Sequence, residues 1–571
     1  MVSGVGVCFA WRFSVRLASL ICALAVCSPT TASSASSSVV MQAMKQELAR
    51  SQKLLGQQTI TPYFISYGIT QTEGMYVTGS FGALTGSRQE LHRVLDVDVR
   101  VGSPEMDNTR QIRGRTSEFA FPGRPSPIEV PVDDDLDSIR AVLWYRTDKT
   151  YQQAVEQLTR AQTNTQVETE QEDRSADFSH DVSQHYSEPL PHLKIDKALL
   201  EDKVRKYTAA FASYADIYEA TAVFVATAET RWYANTEGSE IQTAQTYYRL
   251  YIQAVTKAAD GMELPRFETF WASAPERLPD DQTVLSAVQK IISDLRALQN
   301  APVVDPYVGP AILSGRASAV FFHEVFGHRL EGHRLKRDYE GQTFKRRINE
   351  QVLPAEFSVY SDPTVHRLAN QDLAGSYDYD SEGIRARKVA IVENGVLRNF
   401  LMSRTPIDGF PNSNGHGRNQ PGFAATARQS NLIIEASRPV SHEQLKKMLL
   451  EEINQQKKPF GLLFDDITGG FTITRRIMPN AFNVMPVMVY RVYPDGTEQL
   501  VRGVDLIGTP LTAFTNIVAA DDQPAVFNGI CVAESGAIPV SAVSPALLFS
   551  EVEVQKKSKS QERSPILPFG D

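Results

Sequence analysis

At 571 residues, with 42% hydrophobic and 22% charged residues, the chain has room for two ordinary domains and the composition of a soluble globular protein. Its net charge of -9 argues against nucleic-acid binding, which needs a concentrated basic face. The densest basic stretch, residues 334–347, is interrupted by Asp338 and Glu340 and reads as a solvated surface segment.

The N-terminus comes first. Arg12 and Arg16 precede a short apolar run, residues 17–26, and small residues follow at cleavage spacing. Residues 1–35 are therefore expected to be a cleaved export signal, and the mature chain periplasmic or secreted. The run is short for a bilayer, and no later segment is apolar for long enough, so no stable membrane span is expected. An uncleaved anchor and a lipid on Cys27 stay open, although Val26 is bulky where a lipid box usually has a small residue. Cys8, Cys22 and Cys27 all precede or lie within this region, which leaves Cys531 without an internal disulfide partner. Such a thiol is either buried and inert or a metal ligand.

Past a Ser-rich link at residues 33–38, Met41, Met44, Leu48 and Leu55 share one face of a predicted helix. Leu95, Val97, Val99 and Val101 alternate with Asp96, Asp98 and Arg100, the pattern of a half-buried strand. A helix follows over residues 137–161. Residues 162–191 are polar and aperiodic, with a charge run at 168–174, and read as a long mobile loop. Strand patterns return at 220–227 and 247–255. Val284, Leu285, Val288, Ile291, Ile292, Leu295 and Leu298 then repeat at helical spacing, and the end of that helix near Pro302 is the predicted domain boundary.

The second half changes character. A helix over residues 314–330 is stopped at Gly332, and paired strands dominate beyond it. Asn394-Gly395 separates residues 389–392 from 396–397, and Asp495-Gly496 separates 487–493 from 499–504; both dipeptides favour tight hairpin turns. Residues 412–420 and Gly469-Gly470 read as loops. The predicted fold class is α+β in two domains: a mixed α/β N-terminal domain over residues 39–301, and a largely antiparallel C-terminal domain over 302–555 that carries the helix over residues 314–330. A disordered basic tail over 556–571 follows.

The chemistry concentrates in His323-Glu324-Val325-Phe326-Gly327-His328. This is not the commoner His-Glu-x-x-His, whose imidazoles lie one turn apart on one face. At five residues' spacing they stand about 140° apart on an ideal helix. Both reach one ion only if the helix is locally unwound or bulged, and Gly327 is the residue expected to permit that. A catalytic zinc site uses three protein ligands. His333, beyond the helix end, and Cys531, the lone thiol of the mature chain, are both available as the third. Glu324 is then the general base toward the water that the metal activates. The structural alternative is a helix carrying two satisfied histidines.

The motif has company. Gly309-Pro310-Ala311-Ile312-Leu313, the run from His323 through Glu331-Gly332, Asp380-Ser381-Glu382-Gly383, Asn414-Gly415-His416-Gly417-Arg418, Arg502-Gly503-Val504 and Gly529-Ile530-Cys531 together resemble the TldD/PmbA metallopeptidases. The resemblance covers residues 303–553 well and the first domain only in its layout. It implies zinc held by His323, His328 and Cys531, with Glu324 catalytic and His333 not a ligand. It also implies hydrolysis of unfolded or small peptides by a homodimer, or by a heterodimer with a related subunit. The export signal departs from the cytosolic members, so their partners and substrates do not transfer. Two rivals remain: a zinc-stabilised scaffold for unfolded chains without turnover, and a Cys531 nucleophile served by His328 or His416 as base.

Overall fold

Long stretches of period-two sequence pair into one large sheet. In the computed structural model, which describes residues 38–110, 127–165, 173–336, 340, 343–472 and 482–557, five long strands lie side by side. Their order is Ala83–Ser103, Pro62–Ser80, Glu219–Asn235, Glu240–Lys257 and Glu263–Ala272, every neighbour antiparallel. Helices α1 (Val39–Leu55) and α2 (Leu136–Thr165) share one apolar cluster with this sheet, and α1 buries Met41, Met44 and Leu48 as its pattern predicts. Helices α3 (Lys197–Ala209) and α4 (Asp281–Asn300) share a second cluster with it. Asp280 caps α4 by accepting from the Thr283 amide at 2.8 Å, which satisfies one of the helix's unpaired first-turn donors.

Three expectations for this half change. The strand through Leu95 is half-buried as its pattern predicts except at Arg100, which is buried on the polar face, where Asp98 and Asp107 hold its guanidinium at 2.8 and 3.0 Å. Residues 162–191 are not one mobile loop, because α2 continues to Thr165 and the part from residue 173 is tied down. The Ser179 amide donates to the Arg404 carbonyl at 2.9 Å, Asp177 pairs with Arg110 at 2.8 Å, and His185–Ser187 adds a short parallel strand to Glu240–Lys257. The basic stretch from residue 334 is not simply solvated either: Arg334 is buried, and Lys336 reaches Asp177 at 3.2 Å. The expected export signal and most of the tail, residues 558–571, lie outside the described residues.

In the second half, Tyr307–Leu313 pairs parallel with Gly461–Thr472 and antiparallel with Leu547–Lys556. Val504–Gly508 and Phe482–Val492 continue the sequence of strands, and the last pairs back onto Gly461–Thr472, so the sheet closes on itself. A six-stranded sheet lies alongside in sequence, ending in the hairpin Gly536–Ser544 and Ala525–Ala533, with the latter at its edge. The mixture of helices with mostly antiparallel strands is α+β. Both hairpin dipeptides turn as predicted, with Asn394 and Gly395 at φ 48° and 80°, the left-handed pair of a type I′ turn. Gly469-Gly470 is the correction: the pair lies inside the strand Gly461–Thr472, opposite Met485 and Val484, beside a register shift. Glycine here marks a bulge, not a loop. The segment 412–420 also contains a two-residue ladder, Gly417–Arg418 with Thr426–Ala427.

Helix α5 (Gly315–Phe321) leaves the strand Tyr307–Leu313 and is inserted between Gly461–Thr472 and the edge hairpin. Apart from Arg316, which is partly exposed and pairs with Glu268 and Asp466, its residues are small or apolar and buried, which suits a helix packed on nearly every side. The Ser314 hydroxyl accepts from the Ala317 amide at 3.2 Å and donates to the Asp465 carbonyl at 2.7 Å, fixing the point from which the helix starts.

Candidate metal centre

Seven residues after it begins, the α-helix gives way. Phe322–Phe326 forms a π turn, Gly327–Leu330 a 3-10 turn, and Gly332–Arg334 a second 3-10 turn beyond an extended Glu331. The wider turn closes the angular gap that five-residue spacing opens between His323 and His328, the distortion that the motif predicts. The ring centroids stand 5.0 Å apart at 70°. Beneath them Phe322 and Phe326 pack against Phe514 with centroids at 5.1 and 5.0 Å, a rigid floor for the turn.

The role expected of Gly327 has a different cause. Its backbone, φ -58° and ψ -47°, is ordinary helix that any residue adopts. A Cβ there would lie 1.9 Å from Oε1 of Gln429. Glycine leaves room for that buried amide, whose Nε2 donates to the His323 carbonyl at 3.2 Å.

The third side chain arrives from the edge strand Ala525–Ala533. One ligand atom each of His323, His328 and Cys531 lies within 4.8 Å of the others, all three residues are buried, and Cys531 Sγ is 3.4 Å from His328 Nε2. Nδ1 of His323 is buried and makes no hydrogen bond, a costly orphan unless an ion takes its lone pair. Nδ1 of His328 stands 3.2 Å from Oε2 of Glu331, the outer contact by which a carboxylate fixes a ligating imidazole so that Nε2 faces inward. Glu331 is fully buried and also accepts from Arg334 Nε at 2.8 Å, and Arg334 Nη2 donates to Glu534 Oε2 at 2.8 Å. Burial opposes ionisation of Glu331, but His328 and Arg334 hold its carboxyl far below the usual range.

Electrostatics favour a ligating thiolate. Burial works against the Cys531 anion, yet His328 and His323 keep the thiol well below its ordinary value. Burial likewise disfavours a charged His328, and Cys531 and Glu331 outweigh it. Glu324 does not join the three; its partly exposed side chain lies within their field and takes a hydrogen bond from the Gly470 backbone. Burial pushes its carboxyl pKa up, with the two imidazoles opposing. Two imidazoles and a thiolate suit a borderline-soft ion such as zinc.

The other singled-out histidines turn elsewhere. His333 pairs with Oε1 of Glu534. His416 is completely buried, with Nδ1 3.2 Å from the Asn414 carbonyl and Nε2 2.9 Å from the Ser361 hydroxyl, so both ring nitrogens are committed away from Cys531. Glu331, Arg334 and Gln429 are supports that sequence reasoning passed over. Only Glu331 carried a signal, the three-residue step from His328.

Residues 307–556 match the family model described as the PmbA/TldA metallopeptidase C-terminal domain, and residues 189–295 match that of the central domain. A metalloprotease of Archaeoglobus fulgidus is 28% identical over 263 residues, 45% of this chain and 56% of the relative, so the chain spans little more than half of that protein. Metalloproteases of Methanothermobacter thermautotrophicus and Methanocaldococcus jannaschii are 24% and 25% identical, over 58% and 60% of this chain and 69% and 68% of their own lengths. Among solved structures, a protein of Thermotoga maritima described as a modulator of DNA gyrase shares the fold with a TM-score of 0.58 at 15% identity, covering 90% of this chain and 99% of its own. TldE from Thermococcus kodakarensis does so with a TM-score of 0.57 at 13% identity, over 90% and 100%. On these matches, which take in most of the chain beyond residue 189, the protein belongs to the TldD/PmbA family of metallopeptidases.

Proposed function

We propose that the chain is a zinc-dependent peptidase that hydrolyses peptide bonds in unfolded or small peptides. The convergence of His323, His328 and Cys531, with Glu324 beside them but outside the trio, carries this reading. When bound, zinc supplies Lewis-acid polarisation and lowers the pKa of water. The chain's own residues do the rest. Glu331 holds the proton of His328 on Nδ1 and leaves Nε2 as a lone-pair donor. The Glu324 carboxylate takes a proton from the attacking water and returns it to the departing amine nitrogen, and its upward-shifted pKa suits both transfers. The family relation and the metalloprotease relatives support the reading. Export to the periplasm or beyond, motivated by Arg12, Arg16 and the apolar run after them, belongs to the same proposal, as does assembly as a homodimer or with a related subunit.

The test pairs metal content with turnover. The purified chain should carry one zinc and cleave a denatured protein mixture, read by mass spectrometry. Glu324→Gln should keep the zinc and lose roughly 10²–10⁴-fold in cleavage. Equal cleavage by both proteins refutes the base assignment. A zinc-loaded parent that cleaves nothing favours the scaffold reading over the enzyme.

A further inference from the structure

Arg428 and Gln429 are consecutive residues between the strands Thr426–Ala427 and Asn431–Ala436, and neither offers an atom to the trio. Both are almost completely buried. A guanidinium is kept in such a place only when its donors are used. Nη2 of Arg428 donates to the Cys531 carbonyl at 3.0 Å, and Nη1 donates to the Ser535 hydroxyl at 2.8 Å and the Gly536 carbonyl at 3.2 Å. The fork therefore grips the edge hairpin from Cys531 through its turn. Nε faces Oε1 of Glu331 at 3.5 Å, an ion pair between two fully buried groups, and Glu331 is the partner of His328 Nδ1. The next residue, Gln429, donates from Nε2 to the His323 carbonyl at 3.2 Å, in the space that Gly327 leaves open.

Each member of the trio is thus tied to one dipeptide: His323 and Cys531 through their own carbonyls, His328 through Glu331. The dipeptide is itself anchored, since the Arg428 amide donates to the His416 carbonyl at 2.9 Å and Arg418 Nη1 donates to the Gln429 carbonyl at 2.6 Å. The donors come from a π turn, a 3-10 turn and a distant strand, so no single element sets their separation. A metal site tolerates errors of only about half an ångström.

We propose that Arg428 and Gln429 are positioning residues, a two-residue clamp that sets the spacing of His323, His328 and Cys531 before the ion arrives. This rests on reading those three side chains as a metal site.

The experiment uses the full chain stripped by a chelator. Zinc affinity is measured by competition with a chromogenic chelator, and cobalt titration reads the thiolate-to-cobalt and d–d bands, which report how the donors surround the ion. Gln429→Met and Arg428→Met should each weaken zinc binding about 10–100-fold and alter the cobalt bands. Arg428→Lys should fall between them and the parent, because an ammonium keeps a charge beside Glu331 but cannot serve as a fork. Arg404→Met is the control: Arg404 is equally buried but bonds the Ser179 carbonyl and Glu237, so its folded fraction should keep the parent's affinity and spectrum. Should Arg428→Met fail to fold, Gln429→Met decides alone, since it is close in volume and forfeits one bond. Folded clamp variants with the parent's affinity and spectrum overturn the proposal, as does an equal loss in Arg404→Met. A parent chain that takes up no metal overturns the site reading itself, and the clamp with it.

Discussion

Gly327→Ala sets two effects of opposite sign against each other. Position 327 has ordinary helical torsions, so local preference alone favours alanine there by about 0.8–1 kcal/mol. The surroundings do not. The added methyl would lie 1.9 Å from Oε1, 2.2 Å from Cδ and 2.6 Å from Nε2 of Gln429, far inside contact distance, so the amide must move. Moving it breaks the bond to the His323 carbonyl and strands a buried acceptor, a loss of roughly 1–3 kcal/mol. Overpacking adds roughly 1–3 kcal/mol. The net expectation is destabilisation by about 1–5 kcal/mol, and zinc affinity lower by about tenfold or more because His323 shifts with its carbonyl. Denaturant unfolding of the metal-free chain measures the first effect, and chelator competition the second. The double variant Gly327→Ala with Gln429→Ala relieves the clash but still leaves the His323 carbonyl without its donor, so it should regain only the overpacking part of the lost stability while its metal affinity stays low. A single variant as stable as the parent, with unchanged affinity, would refute the close-approach argument.

Three further outcomes follow from the site and its surroundings. Cys531→Ser replaces a thiolate by a neutral hydroxyl and should sharply reduce zinc per chain by elemental analysis; unchanged content removes Cys531 from the ligand set. Glu331→Gln should weaken zinc binding about 10–100-fold without removing a ligand, because Nδ1 of His328 loses its carboxylate; equal affinity would show that the contact does not orient the ring. Burial lowers the pKa of His416 to about 3, against about 6.5 in the unfolded chain. The unfolded state therefore takes up the proton first, so this contribution to stability is complete above about pH 6.5 and is lost as pH falls toward 3. Between pH 7.5 and 5 the metal-free parent should lose about 2 kcal/mol more than His416→Asn in denaturant unfolding, and identical pH dependence would contradict the buried neutral ring.

Much of the scaffold is readable residue by residue. Met41, Met44 and Leu48 mark α1, the apolar repeat from Val284 marks α4, and Asn394-Gly395 marks a hairpin, because each signal is local and periodic. The spacing of His323 and His328 carries its own geometric demand, which the π turn meets. What stays hidden depends on contacts distant in sequence. Arg100 is the exception, hidden although its partners Asp98 and Asp107 are near in sequence, because the alternation alone reads it as the wet side of a strand. Gly469-Gly470 has the composition of a loop but the pairing of a strand, since the partner Phe482–Val492 supplies the ladder. Residues 173–187 look featureless because their anchors, Arg404 and the strand Glu240–Lys257, lie far along the chain. Arg428 and Gln429 follow no period and match no motif, and their meaning comes entirely from what surrounds them.

The two histidines lie in the π and 3-10 turns that continue α5, whereas the cysteine lies on a late strand about two hundred residues further on, a separation whose closure costs an unfolded chain entropy. During synthesis the histidine-bearing turn therefore emerges long before its sulfur donor exists, and a chain clipped anywhere ahead of Cys531 never acquires it. On the proposed reading, a nascent or broken copy is chemically silent toward the unfolded polypeptides around it, itself included. Competence appears only when the far end of the molecule has been made and has docked against the beginning of this half, so the architecture serves as a check on its own completeness.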